Sequence, residues 1–385
     1  MPETAVAFLS SRKLHVRRDG ATRVIESEFE RSVRERAASI ARRNDWKMHG
    51  LSAMVTGEAA AGLANARPVP VMLTGLTAGP EHGLLYSMET DAISGVFLLD
   101  AEGCETRLFH TADFRIRHVA FDSGSAMVAA SAFHKDQARS NIAVLPMRGT
   151  DITEVTEGDS FDQLPQWVPG PRRQIVFQSA GIGRDAAGRI AGIAPSTIQR
   201  LDLDSGDLEE IASETGRDLF QPRQTEDGAL WYIRKPHQQS GVVRPTFIGC
   251  LRDVALLPFR MARAVFQYFN VFSIMYTGKP LVSGRGALQR RVDPRQLFIH
   301  SNIALAGMAQ GADEEGETVV PASWELVRRA PSGHIETVAK HVVAYDVAAD
   351  GSVLYSDGAG ITRVSAAGES ERVLRAPLIE RVLAL

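Results

Sequence analysis

Short apolar segments recur along this chain, and turns that contain Gly, Asp or Pro separate them. Five stretches share one order: an apolar step, a tight turn and a short apolar segment. They are residues 71–87, 118–131, 165–179, 221–233 and 345–356. Runs rich in β-branched and aromatic residues with such boundaries predict β-strands. Their spacing, roughly 40 to 55 residues where nothing large intervenes, indicates a repeated supersecondary unit.

Each stretch is followed by two further strand-like segments, so one repeat has the strand content of a four-stranded blade. After residues 165–179, for example, come TIQRLDLDSG and LEEIAS. The Asp-Gly pairs at 227–228 and 350–351 supply the positive φ that tight turns require. Sheets repeated around an axis form a β-propeller. The sequence therefore predicts an all-β chain in which residues 1–385 fold as a single propeller.

The two ends of the chain predict one more blade. Residues 5–10, 13–18 and 21–27 are three strand-like segments that lack the first strand of a blade. Residues 378–385 form a first strand that is followed by no other strand of its blade. Pairing the last segment with the first three completes a sixth blade and leaves no free sheet edge. Six blades are predicted. Seven are the main alternative, because residues 47–70 and a long interruption after residue 236 could each contain strands.

Residues 165–211 carry a family resemblance. PQWVPGPRRQIVFQS followed by TIQRLDLDSGDLEEI resembles the TolB-like propeller repeat, which has a Pro-x-Trp-Ser-Pro-Asp-Gly-like turn, an apolar strand and a Leu-Asp-Leu-x-Thr-Gly-like hairpin. The chain departs from this pattern at residues 168–171, where Val-Pro-Gly-Pro stands. The resemblance implies a propeller that binds proteins or peptides, in a family without a shared catalytic residue set. Fold resemblance alone is weak support for a function.

Composition excludes some partners. The 385 residues have a net charge of −3 and a pI near 6.4, so no global field attracts nucleic acid. The two cysteines, Cys104 and Cys250, form no disulfide framework, and a single disulfide between them is the alternative. No apolar leader of useful length is visible near the first residues. We therefore expect a cytoplasmic protein.

Residues 27–47 depart from the strand pattern and predict a helical insertion. Ser27 and Glu30 have the spacing of a capping box at its start. Apolar residues recur at helical spacing along one stripe: Phe29, Val33, Ala37 and Ile40. This pattern predicts an amphipathic helix that packs on the propeller, with docking of a partner as the alternative.

A second insertion, residues 236–321, interrupts one blade. An interruption of this size within a compact domain is typically functional or disordered. In its predicted helical core, residues 250–276, six of the eighteen positions from 259 to 276 are aromatic, against 7% for the whole chain. Arg260 and Arg263 begin a narrow polar line along this otherwise apolar helix. The insertion is therefore the predicted contact element of the protein.

The wide apolar face of such a helix must be buried against another surface. Residues 250–295 contain eight Lys or Arg against two Asp, a local net charge of +6. The cover could be the propeller itself, a protein partner or second copy, or an anionic membrane surface. A transmembrane span is disfavoured because Arg260 and Arg263 shorten the apolar run below the roughly 20 residues that a bilayer requires. The predicted contact residues are Phe259, Arg260, Arg263, Phe266, Phe269, Phe272 and Tyr276.

Motifs for catalysis are missing from the sequence. It contains no Gly-x-Ser-x-Gly nucleophile motif, no phosphate-binding loop, and no His-x-x-x-His or Cys-x-x-Cys spacing. We therefore expect a non-enzymatic interaction or scaffold propeller with no cofactor and no catalytic metal. The alternative is a lactonase-like hydrolase or a small-ligand binder that uses polar groups at the central channel.

Two further sets of polar residues contain residue types that can bind metal ions. Asp202, Asp204, Asp207 and Glu209 are acidic enough for calcium but have the pattern of a solvated hairpin. His110, His118 and His134 fall on different predicted strands, where isolated histidines are mostly hydrogen-bonded structural residues. Neither set predicts a metal site.

Overall fold

The computed structural model describes residues 4–48, 71–134, 136–149, 151–237, 298–299, 302–303, 320–376 and 378–385. β-Strands dominate this part of the chain, which also contains one α-helix, α1 at Glu28–Met48, and a short 3₁₀ helix at Pro80–His82. The chain divides into two compact units, Met1–Gln239 with Phe298–Leu385, and Ser240–Leu297. Everything described below belongs to the first unit.

The strands are numbered in chain order, and the first three blades use β1 to β11 together with the last strand, β27. Blade 1 consists of β27 Ile379–Ala384, β1 Val6–Ser10, β2 Lys13–Arg18 and β3 Ala21–Ile25. Blade 2 consists of β4 Met72–Ala78, β5 Leu84–Glu89, β6 Ser94–Leu99 and β7 Glu105–Thr111. Blade 3 consists of β8 Arg115–Asp122, β9 Met127–His134, β10 Arg139–Pro146 and β11 Thr153–Glu154.

The other three blades follow in the same order. Blade 4 consists of β12 Ser160–Trp167, β13 Gln174–Arg184, β15 Thr197–Asp202 and β16 Leu208–Ala212, with β14 Ile190–Ile193 added beside β13. Blade 5 consists of β17 Arg217–Gln224, β18 Leu230–Pro236, β21 Glu325–Arg329 and β22 Ile335–Lys340. Blade 6 consists of β23 Ala344–Val347, β24 Val353–Ser356, β25 Gly360–Val364 and β26 Ser370–Arg375. β19 Phe298–Ile299 and β20 Asn302–Ile303 pair with each other.

These sheets repeat one antiparallel unit six times among the described residues, so the molecule is a six-bladed β-propeller. The predicted fold class is confirmed. Blades 3 and 4 are joined further by one parallel bridge between Ser140 and Phe161. The innermost strands, which surround the central channel, are β27, β4, β8, β12, β17 and β23.

Both ends of the chain build blade 1. β27 pairs antiparallel with β1, so that Phe8 lies opposite Val382 and Ala7 opposite Leu383. Ile379, Val382 and Leu383 of β27 are at most 8% exposed. The last strand therefore supplies core side chains as well as backbone hydrogen bonds to the first.

Buried serines fasten neighbouring blades to each other. At three successive junctions a serine near the start of the third strand donates to a carbonyl on the innermost strand of the next blade. The pairs are Ser94 with Ile116 (3.2 Å), Ser140 with Asp162 (3.0 Å) and Ser196 with Leu219 (2.7 Å). All three serines are at most 4% exposed. Each junction thus combines apolar packing with a satisfied buried hydrogen bond.

Helix α1 is attached to blade 2 at its first turn. The Ser27 hydroxyl accepts the N–H of Glu30 (3.1 Å), which is one half of the predicted capping box. The N–H of Phe29 donates to Glu105 on β7 (3.1 Å), and the Phe29 ring lies 5.1 Å from that of Phe97. The start of the helix therefore packs on the propeller.

Candidate binding face and central channel

One face of the propeller carries the connections between the second and third strands of the blades. Because every innermost strand begins on this face, every second strand ends there. We call it the connection face. The second strands end at Ser10, Glu89, His134, Arg184, Pro236 and Ser356.

Blades 4 and 5, which are neighbours, have longer connections between their second and third strands than blades 2 and 6. Residues 90–93 suffice to link β5 to β6, and residues 357–359 link β24 to β25. In blade 4, β13 continues past its pairing with β15 and forms a hairpin with β14, in which Ile182 lies opposite Ile193. In blade 5, residues 237–324 lie between β18 and β21. We call residues 237–324 the blade 5 extension. The sequence pattern placed an interruption at residues 236–321 and missed the hairpin of blade 4.

Arg184, the last residue of β13 before the turn, fixes the β13–β14 hairpin. The Arg184 guanidinium donates to both carboxylate oxygens of Asp159 (2.8 and 2.9 Å) and to the carbonyl of Gln137 in blade 3 (2.8 Å). At the tip, Asp185 accepts the N–H groups of Ala187 and Arg189 (2.9 Å each). The hairpin is therefore held on the connection face at the junction of blades 3 and 4.

A buried polar cluster lies at the root of the blade 5 extension. Asp218 at the start of β17 is 9% exposed, and its Oδ1 atom accepts the Ser196 N–H (3.0 Å). The same oxygen lies 2.7 Å from Nδ1 of His237, the first residue after β18. Its other oxygen lies 4.0 Å from the Lys235 ammonium. One carboxylate thus organises the point where the chain leaves blade 5.

Lys235 is enclosed by aromatic rings. Its ammonium lies 4.9 Å from the centre of the Trp324 ring and 5.4 Å from that of Phe220. Burial lowers the pKa of Lys235, and the attraction of Asp218 offsets this only in part. Lys235 lies near the end of β18, and Trp324 directly precedes β21. The Lys235 ammonium therefore contacts both ends of the blade 5 extension. The cluster joins the entry and exit of the extension to the blade.

Around the channel, polar side chains link the innermost strands of successive blades. Gln178 donates to Oε1 of Gln163 (3.3 Å), and its own Oε1 accepts the N–H of Gln221 in blade 5 (3.3 Å). Gln221 donates through Nε2 to the Tyr345 carbonyl (3.0 Å), while the Tyr345 hydroxyl donates to the Gln221 carbonyl (2.7 Å). These bonds connect blades 4, 5 and 6 at the channel wall.

The backbone at the channel wall repeats an unusual conformation. His118, Leu164 and Gln221 occupy irregular steps in β8, β12 and β17, and each has a φ between 54° and 57°. Left-handed φ is uncommon for residues other than glycine. At Leu164 the freed N–H donates to Ser131 of blade 3 (3.2 Å). The bulge therefore turns a backbone donor toward the neighbouring blade.

Charged pairs cross two of the blade junctions beside the channel. Arg117 on β8 makes a bidentate contact with the buried carboxylate of Glu89 in blade 2 (2.8 and 2.9 Å). Arg223 on β17 pairs with Asp346 on β23, and Oδ2 of Asp346 also accepts the Ala384 N–H (2.8 Å). These pairs give the channel a polar lining whose charges are matched at both places.

Glu380 and Arg381 occupy the innermost strand of blade 1. Burial raises the pKa of Glu380 to about 7, although Arg12 and Arg381 attract its negative charge. Burial lowers the pKa of Arg381 to about 10, against the attraction of Glu380. Both residues are nevertheless partly exposed.

The raised pKa of Glu380 predicts a pH dependence of stability. Folding favours the protonated carboxyl, so this contribution is present at pH 4.5 and is lost as the pH rises through 7. The loss is at most about 3.5 kcal/mol, since the pKa rises from 4.5 to about 7 and one pKa unit corresponds to about 1.4 kcal/mol. In urea titrations between pH 4.5 and 8, the free energy of unfolding of the native chain should fall relative to that of Glu380→Gln as the pH rises. Glu371→Gln, at an exposed position of β26, should show no such gain.

The predicted contact residues lie outside the described residues. This holds for Phe259, Arg260, Arg263, Phe266, Phe269, Phe272 and Tyr276, and also for Cys250. Cys104 is exposed. The contact element therefore stays a prediction.

The three histidines lie on strands of two blades, whereas the four acidic residues lie together on the β15–β16 hairpin. His118 contacts Ser131 (3.3 Å) and His134 contacts Glu154 (3.0 Å), while His110 lies on the outer strand of blade 2. Asp202 accepts the N–H groups of residues 204 and 205 in the β15–β16 turn. His118, His134 and Asp202 thus make contacts within the fold.

The described residues contain neither a candidate metal cluster nor a candidate membrane-spanning helix. Within this part of the chain, no group of three or more His, Cys, Asp or Glu side chains could hold a metal ion. No helix among the same residues has the length and apolar character needed to cross a bilayer.

Solved structures with a similar arrangement include TolB proteins. TolB from Acinetobacter baumannii matches 98% of this chain and 65% of its own length, with 9% identity and a TM-score of 0.49. The putative TolB from Agrobacterium tumefaciens matches 98% of this chain and 91% of its own length, with 11% identity and a TM-score of 0.44. A Lactobacillus plantarum protein matches 100% of this chain at 9% identity and a TM-score of 0.45.

The chain is similar to TolB-like propellers in fold. This agrees with the repeat pattern of residues 165–211, and the order of the described strands gives the same fold independently. No protein-family model and no curated protein sequence matches the chain. At such low identity the likeness extends to the fold alone, so function has to be argued from the residues themselves.

Proposed function

We propose that this propeller is a non-enzymatic interaction module whose connection face binds a protein partner or a second copy of the chain. The observation that carries this proposal is that two adjacent blades have long connections that begin and end on the same face. The β13–β14 hairpin and the root of the blade 5 extension both belong to the connection face. Loops displayed on a rigid scaffold are where binding residues most often lie.

The polar cluster of blade 5 supports this proposal. Asp218 and Lys235 fix both ends of the extension, so its attachment to the blade is ordered by buried contacts. A contact element with a fixed root loses less conformational freedom on binding than a freely hinged one. The proposed element is the segment 250–295, with its aromatic residues as anchors and its +6 charge as a steering field.

Replacing three anchors together tests the proposal. In Phe266→Ser/Phe269→Ser/Phe272→Ser, we expect thermal stability to hold while self-association or partner cross-linking at 250–295 is lost. Each Phe→Ser substitution removes roughly 1.5 to 3 kcal/mol of stabilisation by apolar burial at whichever surface covers that side chain. Light scattering over a concentration series, cross-linking in cell extract and calorimetry of the free protein measure these effects.

The matched control replaces three exposed apolar residues of the propeller. In Val24→Ser/Leu208→Ser/Ile335→Ser, side chains that are 48%, 59% and 40% exposed are lost, and assembly should be unchanged. A fall in the melting temperature of the Phe variant alone would show that the segment packs on its own propeller. Loss of binding to anionic liposomes, with protein assembly intact, would favour a membrane surface and contradict the proposal.

A further inference from the structure

A cleft of about 520 Å³ lies between blades 4 and 5. It is lined by residues at the ends of β17 and β21, at the starts of β18 and β22, and on β15 and β16 of blade 4. Because each innermost strand begins on the connection face, these strand ends lie toward the opposite face of the propeller. The volume of the cleft is within the range of pockets that bind ligands, roughly 300 to 1,000 Å³.

One row of side chains crosses blade 5 along the cleft. Its members are register partners on successive strands: Gln224, Leu230, Arg329 and Ile335. Side chains at paired positions lie on the same face of a sheet. Leu230 packs in one core cluster with Ile198 and Ala212 of blade 4, so this face of blade 5 is turned toward blade 4. Four strands at the usual spacing make the row about 14 Å long.

Arg329 is a cation of this row without a counter-charge. Its Nη2 atom donates to the Ile211 carbonyl of blade 4 (2.7 Å), and among the described residues no carboxylate forms an ion pair with it. On the other wall of the cleft, by contrast, Arg200 pairs with Glu209 (2.6 Å). The half-buried Arg329 guanidinium therefore has N–H donors left for a carboxylate from outside the chain.

Glu210 also borders the cleft but does not supply the counter-charge. On β15, Ile198 packs in the core shared with blade 5 and Leu201 in the core shared with blade 3. The pairing of β15 with β13 is regular over its whole length, so Gln199 lies on the blade 3 side. Glu210 is the register partner of Gln199, and its carboxylate accepts the Gln199 side chain (3.4 Å). Its charge is therefore directed away from Arg329.

Gln224 carries a second unmatched group. Its Oε1 atom is buried and has no hydrogen-bond partner among the described residues. Buried acceptors in folded proteins are almost always paired, so an unpaired one that borders a cleft can accept a donor from a ligand. A glutamine amide has an acceptor and N–H donors side by side, which match the N–H and C=O groups of a peptide unit. Leu230 and the 40% exposed Ile335 are the apolar positions of the row.

We propose that this cleft binds a short extended peptide of a protein partner, in which an Asp or Glu residue lies near an apolar residue. The carboxylate pairs with Arg329, a backbone N–H donates to Gln224, and the apolar residue packs on Ile335. A row of about 14 Å matches roughly four residues of extended chain. A peptide meets all of these features, whereas a small acid would meet Arg329 alone.

Selection from a displayed library of random octapeptides tests the proposal. Sequences retained by the native chain should be enriched in Asp or Glu with an apolar residue close by. One selected peptide, synthesised with both ends capped, is then titrated in a calorimeter. Arg329→Met should weaken its binding by about tenfold or more, as expected for a charge-assisted hydrogen bond, and Gln224→Met by about fivefold, as expected for a neutral one. Arg329→Lys, which keeps the charge without the paired donors, should bind with intermediate affinity.

The matched control is Arg328→Met. Arg328 lies on the other side of β21, over the Trp231 ring, and pairs with Asp227 (2.7 Å). This variant should bind the peptide as the native chain does. So should Phe266→Ser/Phe269→Ser/Phe272→Ser, so that failure of the interaction proposed for residues 250–295 leaves this result intact.

Melting temperatures separate binding from folding. Gln224→Met should melt at or above the temperature of the native chain, because it removes an unpaired buried acceptor. A marked fall would show that the fold itself uses the amide and would overturn its role in binding.

Three binding results would overturn the proposal as a whole. The first is a selection without enrichment of acidic peptides. The second is equal binding of the selected peptide to the native chain and Arg329→Met. The third is binding of N-acetylleucine as tight as that of the peptide, which would assign the cleft to a small acid.

Discussion

Deletion of residues 378–385 is expected to unfold the propeller or bring it close to unfolding. The deletion removes Ile379, Val382 and Leu383 from the core and leaves β1 as an uncovered inner strand. At roughly 1.5 to 3 kcal/mol for each of the three side chains, the loss is about 4.5 to 9 kcal/mol. That is comparable to the whole stability of a typical domain, about 5 to 15 kcal/mol. Calorimetry and near-ultraviolet circular dichroism measure the effect.

The matched control removes Leu385 alone, a residue that is 43% exposed and lies beyond β27. This shorter truncation should melt within about 2 °C of the full chain, as expected for a surface change. If the longer truncation melts like the full chain as well, β27 does not contribute to the core as its pairing implies.

Removal of the Asp218 carboxylate should destabilise the protein by about 3 to 5 kcal/mol, because it leaves Lys235 buried without a counter-charge. The Ser196 N–H and His237 lose their shared acceptor at the same time. Lys235→Met keeps much of the apolar contact with Trp324 and removes the charge, so it should have a smaller effect. In the double variant Asp218→Ala/Lys235→Met, part of the loss should be recovered.

Urea unfolding of the four proteins in this cycle gives the coupling energy, expected to be at least about 1 kcal/mol. Asp204→Ala is the matched control, because Asp204 pairs with Arg173 where both side chains are 51% exposed. Exposed pairs of this kind contribute less than about 1 kcal/mol. Equal losses for Asp218→Ala and Asp204→Ala would mean that the buried cluster does not hold the root of the extension.

Much of the fold could be predicted from the sequence because the blade repeat leaves a local signal. The segment 13–18 coincides with β2, and the segment 21–27 contains β3. The β13–β14 hairpin was missed because Gly181 and Gly183 interrupt the apolar alternation there. The interruption resembles a loop, although backbone pairing continues through it.

The polar sites could not be predicted, because their residues meet only through tertiary structure. Asp218 faces Lys235 through the pairing of β17 with β18. Arg223 meets Asp346 across a blade junction, far from it in sequence. In the sequence each of these is one charged residue beside an apolar segment. A single polar position in a strand pattern gives no sign of whether it is buried or which charge it meets.

The closure of blade 1 also determines how the molecule would be oriented on a support. β1 ends and β27 begins at the connection face, so Ala5 and Leu385 lie on the opposite face, where the Leu385 N–H donates to the Ala5 carbonyl (3.3 Å). A tag or sensor surface attached beside either residue therefore sits on the far side of the propeller. Immobilised in this way, the protein presents the β13–β14 hairpin and the root of the blade 5 extension toward solution.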